Sequence, residues 1–200
     1  PFQNVVKIVA RRNGLYADFS PKPLESKPGN GFHINMSVKS SSNEDLMDFM
    51  IAGILDKVGD MTVFLNPQES SYKRFGSHKA PKYISWSREN RSQLVRVPAA
   101  AGKYKRAELR SPDPAANPYL AFSLMIYAGL YGIEGKLPLP EPADINLYKA
   151  DENTLSKFRQ LPGSLQSACA AAAGSDFVKK HIPKSILDIY CKPAIVPAGQ

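Results

Sequence analysis

Three stretches of the chain carry apolar residues at the spacing of a helix. The first covers residues 2–13, where two arginines and a glycine close the pattern in the manner of a helix end. The second begins at Ser41, in a serine-and-acid pattern typical of a capping box, and runs to about Val58. The third starts at Asn117, a capping residue followed by proline, and runs to about Gly132. Its apolar residues lie on most sides, so we expect this helix to be buried.

Alternation of apolar and polar residues predicts short strands between these helices. It is clearest over residues 32–39, where Phe32 and Ile34 face one side and His33 and Asn35 face the other. Further strands are predicted over residues 15–19, 83–87, 94–97 and 104–111. The C-terminal part, from about residue 155 to 190, has the pattern of short helices broken at proline and glycine. The order of helix, strands, helix, strands and helices predicts an α+β fold.

Composition narrows the class of partner. The 26 Lys and Arg residues outnumber the 18 Asp and Glu residues, giving a net charge of +8. This balance favours nucleic acid, an acidic membrane face or a phosphate-bearing small molecule as partner, or else only a solvated basic surface. No apolar run approaches the roughly 20 residues that a membrane helix needs. The two cysteines, without a C-x-x-C pattern, favour a reducing cytoplasm. A start at Pro1 with no signal-like segment indicates a trimmed chain or a fragment.

Charged side chains alternate along the strand predicted over residues 104–111. Arg106, Glu108 and Arg110 share one face of that strand. The row is either a cross-strand ladder of ion pairs or the floor of a site. In the second case Glu108 is free to bind a divalent cation and the arginines are free to bind anions.

Two other groups of residues suggest ligand binding. A turn with Gly29 and Gly31 leads into the strand that carries His33, which is either a metal or phosphate contact or a hydrogen-bonded histidine. Arginines follow at positions 74, 88, 91 and 96. Guanidinium groups suit phosphates and carboxylates, and they suit a nucleic-acid face equally well. No recognised nucleic-acid motif, phosphate loop or nucleophile elbow accompanies them.

Four stretches together resemble the C-terminal part of the glutamine synthetase catalytic domain. They are residues 22–37, 66–74, 84–98 and 106–122, the last reading Arg-Ala-Glu-Leu-Arg-Ser-Pro-Asp-Pro-Ala-Ala-Asn-Pro-Tyr-Leu-Ala-Phe. They stand in the family's order within residues 1–135, and the stretch 136–200 is compatible with its helical tail. The resemblance implies an α+β, antiparallel-sheet catalytic domain of the glutamine synthetase/guanido-kinase type. It also implies a single partial domain over residues 1–200, without the family's N-terminal β-grasp domain.

The family joins glutamate to ammonia, using ATP and Mg²⁺ or Mn²⁺, through γ-glutamyl phosphate. The resemblance implies that His33 and Glu108 are metal ligands. It implies that Gly29, Arg74 and Arg110 contact glutamate, and that Arg91, together with Arg74, serves catalysis at the transferring phosphoryl group. It assigns the nucleotide to Arg96, Lys103 and Arg106. In the complete protein it implies a ring-type homo-oligomer in the cytoplasm, with neither nucleic acid nor membrane as partner.

One departure from the family concerns the loop between Arg74 and Pro81. The family's flap glutamate, which helps to bind ammonium, has no carboxylate counterpart there, and Lys79 lies just before Ala80. A cation at this place repels ammonium. We therefore expect a ligase that uses ammonia or another amine, and we expect the 200 residues alone to be inactive. The alternative is a non-catalytic oligomeric scaffold or regulator of the same family.

Overall fold

The structure is a computed structural model that describes residues 2–42, 44–76, 80–98 and 105–192. Its helices are α1 (Phe2–Arg12), α2 (Met47–Leu65), α3 (Glu69–Tyr72), α4 (Pro118–Glu134), α5 (Glu152–Leu155), α6 (Leu165–Gly174), α7 (Asp176–His181) and α8 (Lys184–Cys191). Its strands are β1 (Ile34–Met36), β2 (Trp86–Ser87), β3 (Val95–Arg96) and β4 (Ala107–Leu109). The expected α+β fold is confirmed.

The four strands form one sheet in the order β1-β4-β3-β2. The pairs β1–β4 and β3–β4 are antiparallel, as expected, whereas β2 and β3 run parallel. Alternation divides the sheet into two faces: Ile34, Val95 and Leu109 are buried in the core. On the opposite face, Glu108 lies beside Asn35 on one neighbouring strand and Arg96 on the other. The sheet thus holds a row of polar groups on one rigid surface.

The core lies under the sheet and is built around α2 and α4. The two helices cross each other at glycines. A Cβ on Gly53 would collide with the Ala128 carbonyl and lie 2.6 Å from the Gly132 nitrogen. The two backbones therefore touch, and α2 is buried along most of its length. Helices α6 and α7 cover another side of α2 and contribute Ala168 and Val178 to the core.

Several expected elements have different bounds. Residues 15–19 form no strand, and the other strands are shorter than their patterns. Helix α2 begins at Met47, without a side-chain cap, and not at Ser41. It also continues past Val58 to Leu65, because the last turns, Met61–Leu65, are buried by tertiary contacts.

Helix α4 starts as predicted, since the Asn117 side chain accepts a hydrogen bond from the Tyr119 backbone N–H. Its expected burial is wrong. One side packs on α2, while Tyr119 is 81% exposed and Ile126 is 56% exposed on the other side. An apolar composition all round a helix gives no indication of which side is covered. The breaks of the tail helices near residues 162, 174 and 183 are confirmed.

No helix in the described part of the chain combines the length and the apolar character that a membrane crossing requires.

Candidate functional site

A cavity of about 400 Å³ opens on the polar face of the sheet. It brings together residues that are far apart in the sequence: Pro28, Gly29, Gly31, His33, Arg74, Ala80, Arg91, Arg96, Glu108 and Arg110. Seven of the nine residues predicted for the site therefore line one cavity. Four guanidinium groups and a single carboxylate give this lining a strong positive charge. The arrangement suits an anionic ligand.

Glu108 is the centre of the polar row. Its Oε1 lies 2.9 Å from His33 Nδ1, and its Oε2 accepts hydrogen bonds from Arg96 Nη1 at 3.1 Å and from Arg110 Nη1 at 3.4 Å. Both carboxylate oxygens are thus engaged within the protein. Both interpretations of the charged strand apply. The row is a cross-strand set of ion pairs, and it is also the floor of the cavity. In the protein without ligands Glu108 is engaged by these contacts, and its role as a metal ligand stays a prediction.

His33 immediately precedes β1, and its side chain faces the cavity. Burial and the positive charge of Arg110 lower the pKa of His33, in spite of the opposing effect of Glu108. The imidazole is therefore neutral at pH 7, and its contact with Glu108 is a hydrogen bond in which Nδ1–H donates. This tautomer leaves the Nε2 lone pair available. A Cβ on Gly31 would lie 3.1 Å from Nε2, so the glycine leaves room for the ring.

Arg74 forms the buried wall of the cavity, and its side chain is 3% exposed. Its Nη1 donates to the Ser111 carbonyl at 3.0 Å and to Asp113 Oδ2 at 3.4 Å. Burial lowers the pKa of Arg74, while the adjacent Asp113 carboxylate raises it. Gly29 lies against the stem of this side chain, since a Cβ there would be 2.7 Å from Arg74 Cγ. Gly29 thus shapes the wall by being small.

The remaining predicted arginines differ in position. Arg91 is exposed on the loop between β2 and β3 and points into the cavity lining. Arg106 lies outside the lining and donates from Nε to Asn35 Oδ1 at 3.1 Å. Lys103 and Lys79 lie outside the described residues.

The described residues supply only part of a metal site. His33 and Glu108 offer a nitrogen and carboxylate oxygens, but the described ranges contain no group of three or more His, Cys, Asp or Glu residues able to hold a metal ion. Two donors surrounded by arginines do not complete the coordination of a divalent cation. By themselves, these residues do not fit a complete metal site.

Sequence reasoning missed the groups that hold the arginines in place. Asp113 and Asn66 are fully buried, and Asn66 Nδ2 donates to Asp113 Oδ2 at 3.0 Å. Gln93 is also fully buried, next to the loop of Arg91. The only local signal for Asp113 is its position between two prolines, and Gln93 gives none beyond a polar residue at the start of an apolar run.

Comparison with known sequences gives a consistent result. Residues 1–194 match the family described as glutamine synthetase, catalytic domain. The glutamine synthetase of Methanosarcina mazei is 40% identical over 205 residues, which cover 94% of this chain and 46% of that protein. The glutamine synthetase of Staphylococcus aureus (strain MW2) is 38% identical over 200 residues, covering 92% and 45% respectively. The chain spans about half the length of the curated relatives it matches.

Two solved structures have a similar fold. GmaS in complex with ADP, in its conformation 1, superposes with a TM-score of 0.82 at 30% identity and covers 95% of this chain and 47% of the GmaS chain. GmaS without ligand gives the same TM-score at 31% identity, over 94% of this chain and 46% of that chain.

Proposed function

The chain belongs to the glutamine synthetase family, and from this premise we propose that it forms the arginine-lined side of a ligase site that joins glutamate to ammonia or another amine at the expense of ATP. The observation that carries the proposal is the convergence of Arg74, Arg91, Arg96 and Arg110 on one cavity around Glu108. The ADP bound in the similar structure of GmaS supports a nucleotide as one ligand.

The proposed reaction has two steps. The γ-phosphoryl group moves from ATP to the side-chain carboxylate of glutamate, and ADP leaves. The amine nitrogen then attacks the acyl carbon, loses a proton and displaces inorganic phosphate. Phosphoryl transfer depends on positioning and on neutralising charge rather than on a covalent nucleophile. A lining rich in guanidinium groups and poor in carboxylates serves that need.

Each arginine has a role that agrees with its position. Arg74, fixed in the buried wall, and Arg110 would hold carboxylate oxygens of glutamate through their forked N–H groups. Arg91, exposed at the rim, would contact the phosphoryl group during transfer. Arg96 would neutralise ATP phosphates, with Arg106 and Lys103 completing the nucleotide contacts.

Divalent ions, Mg²⁺ or Mn²⁺, would neutralise charge in the site: Glu108 would be a ligand of an ion near the glutamate, and His33 would be a ligand of a second ion at the ATP phosphates. Their other ligands would come from outside the described residues. We therefore expect residues 1–200 by themselves to be inactive, and the complete gene product to act as a cytoplasmic homo-oligomer, as the family resemblance implies.

The test uses the complete gene product with ATP, Mg²⁺ and glutamate. ADP release is followed first with ammonium and then with a panel of primary amines. We expect Arg91→Ala to lower kcat by about 10²- to 10³-fold, the range for the loss of one charge-stabilising donor. Arg88→Ala is the matched control, because Arg88 is exposed on the same loop but does not line the cavity. Its kcat should stay within about twofold of the wild type.

Two results would contradict the proposal. Equal losses in the Arg88 and Arg91 variants would show that the cavity lining has no special role. Bound nucleotide without turnover on any amine would favour the alternative of a non-catalytic scaffold or regulator.

A further inference from the structure

Gln93 is a fully buried amide that lies beside the cavity without lining it. Its Nε2 donates to the Ala143 carbonyl at 2.6 Å and to the Ile145 carbonyl at 2.8 Å. Its Oε1 accepts a hydrogen bond from the Ser85 hydroxyl. The amide therefore uses both N–H groups and its oxygen, and it joins its own loop to the segment 143–147 and to the Ser85 side chain.

The segment 143–147 is bound to the arginine loop at further points. The Ile145 carbonyl also accepts from Asn90 Nδ2 at 2.7 Å, and the Ser92 hydroxyl donates to Asn90 Oδ1 at 2.9 Å. The Leu147 backbone N–H donates to Ser92 Oγ at 3.0 Å. One carbonyl thus receives side chains from residues on both sides of Arg91. These contacts cross more than 50 positions of sequence, so the segment acts as an external clamp on the loop.

In the described part of the chain, the clamp supports Arg91 and Arg96 but does not contact Arg74. Arg91 lies two residues before Gln93, and Arg96 lies three residues after it on β3. Arg74 is held elsewhere, by Ser111 and Asp113, with Asn66 bonded to the same two residues. The cavity therefore has a different set of supporting contacts on each side.

We propose that Gln93 is a positioning residue of this site, which ties the loop of Arg91 and the strand of Arg96 to the segment 143–147 and so aligns these arginines with the phosphates. The inference rests on the proposed function, since it assigns phosphate to that side of the cavity. A displacement of about 1 Å in a positioning group can cost about 10²-fold in rate. A buried amide that binds two carbonyls is suited to prevent such a displacement, since its loss would leave the Ala143 carbonyl unsatisfied and would remove one donor from the Ile145 carbonyl.

The test compares Gln93→Met with Asn66→Ala in the complete gene product. Methionine keeps the volume of glutamine but cannot donate to the two carbonyls. We expect Gln93→Met to lower kcat by about tenfold to a hundredfold and to weaken ADP binding, with the number of ADP sites unchanged and the KM for glutamate within about twofold. Asn66→Ala, which removes another fully buried amide, should raise the KM for glutamate and leave ADP affinity unchanged. The same response in both variants would indicate general loosening and would overturn the proposal.

A second variant and a ligand-free measurement keep the test decisive. Asn90→Ala removes one bond to Ile145 from a partly buried position, and we expect a smaller change in the same direction. Trypsin should cut after Arg91 faster in both loop variants than in the wild type under native conditions. Unchanged cleavage and unchanged ADP affinity would refute the role of Gln93. A wild-type protein that turns over no amine would instead refute the ligase activity, while the cleavage rates would still decide the role of Gln93.

Discussion

Asp113 determines whether the guanidinium group of Arg74 can lie in the wall of the cavity. The carboxylate is fully buried, and it receives Arg74 Nη1 and Asn66 Nδ2 on Oδ2 and the Ala115 backbone N–H on Oδ1. A buried pair of this kind adds little net stability compared with apolar residues, but the loss of one partner leaves an uncompensated charge in the interior.

We expect Asp113→Asn to lower the free energy of unfolding by about 3 kcal/mol, at the low end for a broken buried pair because asparagine keeps one acceptor oxygen. Asp144→Asn, at an exposed position, is the control and should change it by less than about 0.5 kcal/mol. Urea denaturation measures both. If Arg74 and Asp113 are coupled, the double variant Arg74→Met/Asp113→Asn loses less than the sum of the two single variants, and additive losses would contradict the pairing.

At the residue scale, alternation along a strand allows the sequence to predict which side chains share one face. Arg106, Glu108 and Arg110 alternate, so their shared face could be predicted before any contact was known, and His33 follows from the same rule. The partners of those residues are different. Asp113 lies 39 positions from Arg74, and Gln93 lies 50 positions from Ala143. No pattern within one segment indicates such a contact.

At the scale of elements, the glycines of α2 and α4 set how closely the two helices pack. A Cβ on Gly53 or Gly132 would meet the backbone of the other helix rather than a flexible side chain. Local signals predicted where α4 starts, because Asn117 caps it. They failed for the end of α2, where burial of Met61–Leu65 extends the helix. They failed again for the exposed side of α4, since coverage depends on neighbours that the helix itself does not encode.

Gly53→Ala should destabilise the protein although alanine is the better helix former by about 1 kcal/mol. Overpacking against backbone costs about 1–3 kcal/mol or more, which exceeds the gain in propensity. Gly59→Ala is the matched control in the same helix, because a Cβ there has no described heavy atom within 4 Å. We expect that variant to be stabilised by up to about 1 kcal/mol. Opposite signs in urea denaturation are the expected result; stabilisation of both variants would show that α2 and α4 do not touch at Gly53.

For the molecule as a whole, part of the net charge of +8 is concentrated around one cavity. Four arginines face one cavity, and among the described residues that line it Glu108 is the only carboxylate. A bound anion would offset the excess of positive charge in this lining. The total charge follows from composition, whereas the gathering of these arginines around one cavity depends on the fold.

ATP or tripolyphosphate should therefore raise the Tm of the complete gene product. A ligand at 100 times its Kd contributes about 2.7 kcal/mol to the native state. Sodium chloride at equal ionic strength is the control for general screening and should shift the Tm much less. Arg96→Ala should reduce the shift caused by tripolyphosphate, while Arg88→Ala should retain it. An equal shift in chloride would contradict a specific anion site.

The contact between α2 and α4 also affects how fast backbone amide hydrogens exchange with solvent. With Gly53 and Gly132 backbone to backbone, no side chain can rotate aside to admit water to the amides at the crossing. Those amide hydrogens can exchange with solvent deuterium only when the helices separate, which requires the core to open as a unit. The rate of hydrogen–deuterium exchange at the Gly53 amide is thus expected to report the complete unfolding of this domain, independently of motion in the loops around the cavity.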